Sequence, residues 1–319
     1  MATVNSASFP SEETRLKTRK SRWRQLYKNW ELYAFALPTL AYFIIFHYIP
    51  MYGVQIAFKD YIATKGIWGS PWVGLEHLKR FFGSYYFWSL IKNTLGISVY
   101  ELLIGMPIPI LLALSLNELR NGVFKKIVQT VTYAPHFISV VVMSGMVIAF
   151  LAPGTGLVNL AIKGLGGHPI PFLSDPGWFK TVFVLSGVWQ NMGWGTIIYL
   201  AALANVDPQQ HEAAMIDGAT RLQRIRHINL PSIVPTIVIL LILNVGSFMS
   251  VGFEKVFLLQ NPLNMDASDV ISTYVYRSGL VQGQYSFASA IGLFNSVINF
   301  LLLIAVNRLA KRINETSLW

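Results

Sequence analysis

Two sets of residues in this chain have the types and spacing to do chemistry. The first lies within long apolar runs: Tyr100 and Glu101 in one, Trp189, Gln190, Asn191, Trp194 and Tyr199 in another, Asn244 with Ser247 in a third, Asn295 with Asn299 in a fourth. Aromatic faces stack and amide or carboxylate groups hydrogen-bond, so such a set can hold a polar solute. Gln190 and Trp194 stand four apart, as do Asn295 and Asn299, which puts each pair on one helix face. Polar groups at that depth are costly in lipid and belong on a bundle interior or a cavity. Glu101 is the sharpest of them: a carboxylate well inside an apolar run is a solute ligand, a paired structural ion, or protonated. Trp189 also suits an interfacial aromatic belt, and the two asparagines also suit bonding between helices. Clustered acids, histidines or an activated nucleophile at useful spacing are missing, so catalysis is not indicated. His47 and His136 have no second imidazole at ligand spacing, and no metal site is expected.

The second set is a polar insert at 205–231 between two apolar runs. It reads Glu212-Ala213-Ala214, three residues ending in Asp217, Gly218, nine residues, then Ile228-Asn229-Leu230-Pro231. Asp207-Pro208 starts a helix well, because the carboxylate accepts from free amides and proline suits the first turn. Gly218 can take a positive φ and end that helix. Thr220 caps a second short helix over 221–228, which Pro231 is expected to stop before the next apolar run. The expectation is two stubby helices at an angle. Ala213 and Ala214 permit close docking, and Glu212 can form a charge-assisted bond with a partner's arginine. A helix lying on lipid headgroups would need a large apolar face, which 207–217 does not supply. A GxxxxGK[ST] run is absent, so this chain supplies no P-loop for ATP.

The elements that position these residues follow from composition. Hydrophobic residues make up 53% and charged residues 13%, and mean hydropathy is +0.47. Soluble domains carry about 25% charged residues, so much of this surface is expected to face lipid. Apolar runs of about 20 residues, the length that crosses a bilayer, occur near 32–58, 88–116, 128–151, 181–204, 233–251 and 287–306. Pro38, Pro107 and Pro109 fall inside them, which a bundle in lipid tolerates as kinks. With no cysteine, disulfides and thiolate metal sites are excluded.

The net charge of +10 is placed by topology. Arg15, Lys17, Arg19, Lys20, Arg22, Arg24 and Lys28 precede the first run; Arg120, Lys125 and Lys126 follow the second. Arg221, Arg224 and Arg226 follow the fourth, and Arg308, Lys311 and Arg312 follow the sixth. Such a bias sets these segments on the cytoplasmic side. The expectation is an all-α integral membrane protein of six spans, both termini inside, with the insert between the fourth and fifth also inside. The basic arm at 1–30, with Trp23, Tyr27 and Trp30, suits anionic headgroups and not nucleic acid. A six-helix body is expected at 31–310 and a short tail at 311–319.

The spacing EAA-x3-G-x9-I-x-LP resembles the coupling loop of permease subunits in binding-protein-dependent bacterial ABC importers. Other strings resemble the carbohydrate (maltose-type) branch for complex oligosaccharides: Pro50-Met51-Tyr52-Gly53, Ala57-Phe58-Lys59-Asp60-Tyr61, Trp72-Val73-Gly74-Leu75 with Phe81-Phe82, Ala134-Pro135-His136-Phe137-Ile138-Ser139, Gly154 and Gly156-Leu157-Val158-Asn159, and Asn314-Glu315-Thr316-Ser317-Leu318-Trp319. The resemblance implies a permease of the bacterial inner membrane that moves a pectin-, alginate- or similarly derived oligosaccharide. It also implies a second homologous permease, two ATP-binding subunits that use ATP and Mg, and an extracytoplasmic solute-binding protein. The permease itself would bind no cofactor, and the segments at 59–87, 152–180 and 254–284 would face outward, either as docking surfaces for the binding protein or as plain connectors. In that setting the intramembrane aromatics and amides become candidates for stacking and hydrogen bonding on sugar. A proton-coupled secondary transporter is the alternative, but Glu101 alone is a thin relay and internal symmetry is not evident.

Overall fold

The structure is a computed structural model that describes residues 28–314. The basic residues at 15–24 and the tail at 315–319 lie outside them. The described residues are helical apart from turns and one isolated antiparallel bridge, Lys59 to Trp72. The chain separates after Gln55 into two compact units.

The first unit carries α1 (Trp30–Phe43), with Pro38 inside it, and a widened π turn at Ile44–Tyr48. That turn precedes Pro50, whose missing amide cannot continue a regular ladder. Tyr42 and Phe46, and Phe43 and His47, meet at ring separations of 5.3 Å, the contact expected of i and i+4.

The second unit contains α2 (Phe87–Gly105), α3 (Pro107–Glu118), α4 (Val123–Tyr133), α5 (Val140–Leu151) and α6 (Pro176–Leu203). The insert supplies α7 (Pro208–Ile216) and α8 (Arg221–Arg224). It is followed by α9 (Leu230–Gly246), α10 (Phe253–Leu259) and α11 (Tyr285–Asn314). Helix α6 is central and packs on α2, α3 and α9, while α9 also packs on α11. One apolar cluster joins Ile97 to Phe179, Phe183 and Val256; a second joins Ala113 and Leu114 to Tyr199, Leu203 and Ile233.

Among the described residues, four helices are long and apolar enough to cross a membrane: Trp30–Phe58, Phe87–Glu118, Arg221–Gly246 and Tyr285–Arg312. The other two expected spans are also helical, and each differs from a plain apolar rod. Helix α6 has 28 residues, about 42 Å, but glycine, Gln190 and Asn191 dilute its apolarity. The third segment is not one straight helix. It bends by 102° between Val123–Phe137 and Val140–Leu151. Pro135 sits in a tight 3-10 turn, Ile138 is extended, and the Ser139 hydroxyl caps α5 by accepting from Val142 N at 3.3 Å.

The fifth helix ends at Gly246, earlier than its apolar run. The turn that follows is pinned from α11: Asn299 Oδ1 accepts from Met249 N at 2.8 Å, and its Nδ2 donates to Ser250 Oγ at 3.0 Å. Elsewhere, buried Asn159 staples the 152–170 loop by donating to the carbonyls of Leu151, Ala152 and Ile170 and accepting from Ile170 N. Asp269 accepts from Thr273 Oγ1 and Arg277 Nη1, and its hydrogen bond pushes the guanidinium's proton affinity up.

Candidate functional site

A cavity of about 440 Å³ lies among α2, α3, α6, α9 and the turn after α9. Its polar wall is built by spacing on the helices. Ser98 and Glu101 stand one turn apart on α2, Asn191 and Tyr199 two turns apart on α6, and Asn244, Ser247 and Ser250 follow one another at the end of α9. Met106, Pro109, Met192, Phe248 and Val251 complete it with apolar surface. Glu101 is the one charged residue in this lining. It is open to the cavity, as are Asn191, Asn244, Ser247 and Ser250. A mixture of hydroxyl, amide and carboxylate groups beside apolar patches can bind a solute that is itself rich in hydroxyls.

The structure therefore brings together Glu101, Asn191, Tyr199, Asn244 and Ser247 from the set expected on sequence, and sends the others elsewhere. Tyr100 packs against the apolar cluster around Val184. Gln190 is buried and donates to Ile138 O at 2.8 Å, which holds the bend of the third segment. Trp189 lines a separate, almost wholly apolar cavity of about 370 Å³ with Phe150, Phe172 and Trp178. Trp194 stacks on His136 at 4.5 Å, and His136 Nδ1 lies 3.0 Å from Asn191 Oδ1, so this pair sits beside the cavity rather than in its wall. Asn295 and Asn299 reach the cavity indirectly, through Ser250.

Sequence reasoning missed Ser98, whose hydroxyl donates to Phe248 O, and Lys255. Lys255 is 9% exposed and donates to Phe183 O at 2.7 Å. Its Nζ would lie 3.0 Å from a Cβ placed on Gly187, which lines the cavity. A lone lysine after a span reads as part of a loop, and nothing local to it signals otherwise.

The insert is built as its capping residues dictate. Asp207 accepts from Gln209 N at 2.9 Å and starts α7. Gly218 has φ +77°, Gly218 N bonds Met215 O at 3.1 Å, and Ala219 N bonds Ala214 O at 2.8 Å, closing α7 by the paired bonds of a Schellman end. Thr220 and Gln223 form a reciprocal capping box that starts α8. Pro231 does not stop that helix. A π turn at Ile225–Asn229 carries it directly into α9, with Ser232 Oγ taking up Ile228 O at 2.6 Å. The wide turn absorbs the amide that proline lacks, so only α7 is a free-standing stub and α8 is the tip of the next span. Asn229 Nδ2 reaches Glu118 Oε1 at 3.3 Å and ties this junction to the end of α3. Asp207→Ala should speed amide exchange at Gln209 and Gln210 about 5-fold, the loss of a cap worth ~1 kcal/mol. Exchange unchanged at both amides would show that the cap is idle.

Glu212 and Ala213 are exposed, Ala214 is half-buried, and Asp217 and Gly218 lie at the outer bend. Ile228 lines a recess of about 320 Å³ between the arms of the insert with Ala214, Gln223, Arg224 and His227. Leu230 packs with Ile233 and Leu203.

Residues 105–315 match the family described as binding-protein-dependent transport system inner membrane component. The chain is 46% identical over 288 residues to Protein LplB of Bacillus subtilis (strain 168), covering 90% of this chain and 91% of that protein. It is 44% identical over 316 residues, 98% of each, to the polygalacturonan/rhamnogalacturonan transport system permease protein YteP of the same organism. A solved bacterial alginate ABC transporter, in complex with an alginate pentasaccharide-bound periplasmic protein, contains a chain that is 43% identical, with a TM-score of 0.86. The match covers 93% of this chain and 99% of that one.

Proposed function

We propose, from the premise that this chain belongs to the family of binding-protein-dependent transport system inner membrane components, that its cavity is part of a solute path and its insert the point where force enters. The chain is the permease subunit of an ABC importer of sugars, an inner membrane component and not an enzyme. Cargo of the polygalacturonan and alginate type, named for its relatives, fits a cavity lined by hydroxyls, amides and one carboxylate. A proton relay is not needed to explain Glu101.

The finer reading is six spans with both ends and the insert in the cytoplasm. The basic residues Arg120, Lys125, Lys126, Arg221, Arg224, Arg226, Arg308, Lys311 and Arg312 support it, because they fall at the ends of spans that this topology puts inside. A second, homologous permease closes the open side of the cavity, where Glu101, Asn191 and Asn244 are exposed. Two ATP-binding subunits dock on the insert and use ATP and Mg, and an extracytoplasmic binding protein delivers the sugar. This chain holds no cofactor of its own.

One observation carries the docking reading. Met215, Ile216 and Leu222 are 53%, 86% and 74% exposed on a polar insert, beside exposed Glu212. Large apolar side chains held out from a short capped helix are partner-contact chemistry, and the arginines around them suit a rim. The chain has no cysteine, so a single cysteine replacing Gln210 gives a clean topology test. In cells it should react with a membrane-impermeant maleimide only after the inner membrane is opened. Labelling from the outside would place the insert where no ATPase can reach it and defeat this reading.

A further inference from the structure

The cavity has one charged residue in its wall, Glu101, and a second charge just behind that wall, Lys255. The two come from different parts of the chain. Glu101 is on α2, whereas α10, which carries Lys255, begins directly after Val251 and Gly252, both of which line the cavity. Lys255 passes Gly187 on α6, lies 4.6 Å over the Phe183 ring, and donates to Phe183 O. Gly187 leaves room for that course, since a Cβ there would meet the ammonium at 3.0 Å and the lysine would have to shift.

The two side chains are of opposite sign, and they do not form a direct ion pair. Among the described residues the ion pair in direct contact is Arg277 with Asp269. Glu101 lines the cavity and is exposed, while the cation is held behind the wall by a carbonyl and an aromatic face. A direct pair would have occupied the carboxylate and removed it from the solute. A carboxylate without compensation would repel an anion that enters the cavity. The arrangement avoids both.

We propose that Glu101 accepts hydrogen bonds from sugar hydroxyls and that Lys255 is its counter-charge, which lets a uronic-acid sugar pass a wall whose lining charge is negative. This rests on the reading of the cavity as the path of an oligosaccharide. It assigns Lys255 to selectivity between acidic and neutral sugars, a role carried by balance of charge and not by contact with the ligand.

The test uses the complete importer, with its partner permease, ATPases and binding protein, reconstituted in liposomes. The probes are a galacturonate oligomer and its carboxyl-reduced neutral counterpart, each supplied at concentrations that saturate the binding protein, and the readout is the ratio of their uptake rates. Lys255→Met should lower the acidic-to-neutral ratio roughly 10-fold or more, because an unbalanced charge a few ångströms from a ligand carboxylate costs that much even at a moderate effective dielectric. Lys255→Arg should keep the ratio near the wild-type value. Glu101→Gln combined with Lys255→Met should restore most of it, since the wall is then neutral again. A merely structural lysine predicts equal loss for both probes and no rescue in the double variant. A lysine that grips the ligand carboxylate directly predicts a lowered ratio that the double variant does not restore. Either outcome overturns the proposal. If Lys255→Met does not assemble, Glu101→Gln alone decides: the ratio should rise above wild type by about 3-fold, and an unchanged ratio overturns the idea. If the wild-type importer takes up neither probe with ATP present, the oligosaccharide reading falls and this proposal with it. Uptake with a ratio insensitive to these changes sinks the charge balance and leaves the sugar reading standing.

Discussion

Gly193→Ala is expected to disable this protein more severely than any other single methyl group added to α6. A Cβ at position 193 would lie 2.1 Å from Thr132 O, 2.4 Å from Thr132 C and 2.8 Å from a Tyr133 ring carbon. Two of these three atoms are backbone at the end of α4, where the third segment begins its 102° bend, so no rotamer change relieves the overlap. The crossing is locked on both sides. Gln190 Nε2 holds Ile138 O beyond the bend, and Thr196 Oγ1 donates to Met192 O at 2.6 Å and to Pro109 O at 3.3 Å. Close helix approach over a small residue is how bundles in lipid gain packing, and forcing atoms into such a contact costs about 3 kcal/mol or more. The expected result is a melting temperature in detergent lowered by several degrees, with most of the expressed chain aggregated. Gly145→Ala is the control, because a Cβ there meets nothing within 4 Å on α5. Equal melting temperatures for the two variants would show that the crossing is looser than drawn, and with it the support for the bend.

How much of this was legible in the sequence depends on whether the cause was local. The caps at Asp207 and Thr220 and the positive φ of Gly218 follow from side chains acting on their own backbone, and all three are as the spacing implies. Glu101, Asn191, Tyr199 and Asn244 were legible as polar groups in apolar runs, because lipid leaves them few places to go. The departures from the expected placement mostly originate in contacts distant along the chain. Gln190 has the same type and depth as Asn191, yet one residue of helix rotation turns it to Ile138 and out of the cavity. Asn299 is spent on Met249 and Ser250, fifty residues away along the chain. Pro231 looked like a stop because proline cannot donate, but a π turn bypasses the missing amide, and periodicity does not reveal a turn of that kind. Lys255 was invisible for the opposite reason: its burial depends on a space left by Gly187 on another helix.

Glu212→Arg and Gly218→Pro are expected to leave the protein inserted in the membrane and to reduce ATP-driven uptake to background. They act by different routes. Gly218 sits at φ +77°, and proline is fixed near −65°, so the substitution removes the turn outright and the paired bonds from Gly218 N and Ala219 N with it. Helix α7 then loses its fixed angle to α8. That angle matters because α8 is continuous with α9 through the π turn, and α9 ends in Asn244 and the cavity wall. The same junction is bonded to Glu118 at the end of α3, and α2, which precedes α3, carries Glu101. On the proposed coupling, a push on α7 would reach both sides of the cavity along these helices, and only while the turn at Gly218 holds. Glu212 is exposed, and among the described residues its side chain has no bond that the substitution would break. On the proposed docking, its replacement by arginine acts on the partner surface, where exchanging an attraction for a like-charge contact costs about 2–5 kcal/mol, or roughly 30-fold to several thousand-fold in complex stability. The two variants separate on ATP hydrolysis by the assembled importer. Glu212→Arg should release the ATPase subunits during purification, whereas Gly218→Pro should retain at least part of them but hydrolyse ATP without transport. Uptake at wild-type rates in both variants would mean that force enters this permease somewhere other than the insert.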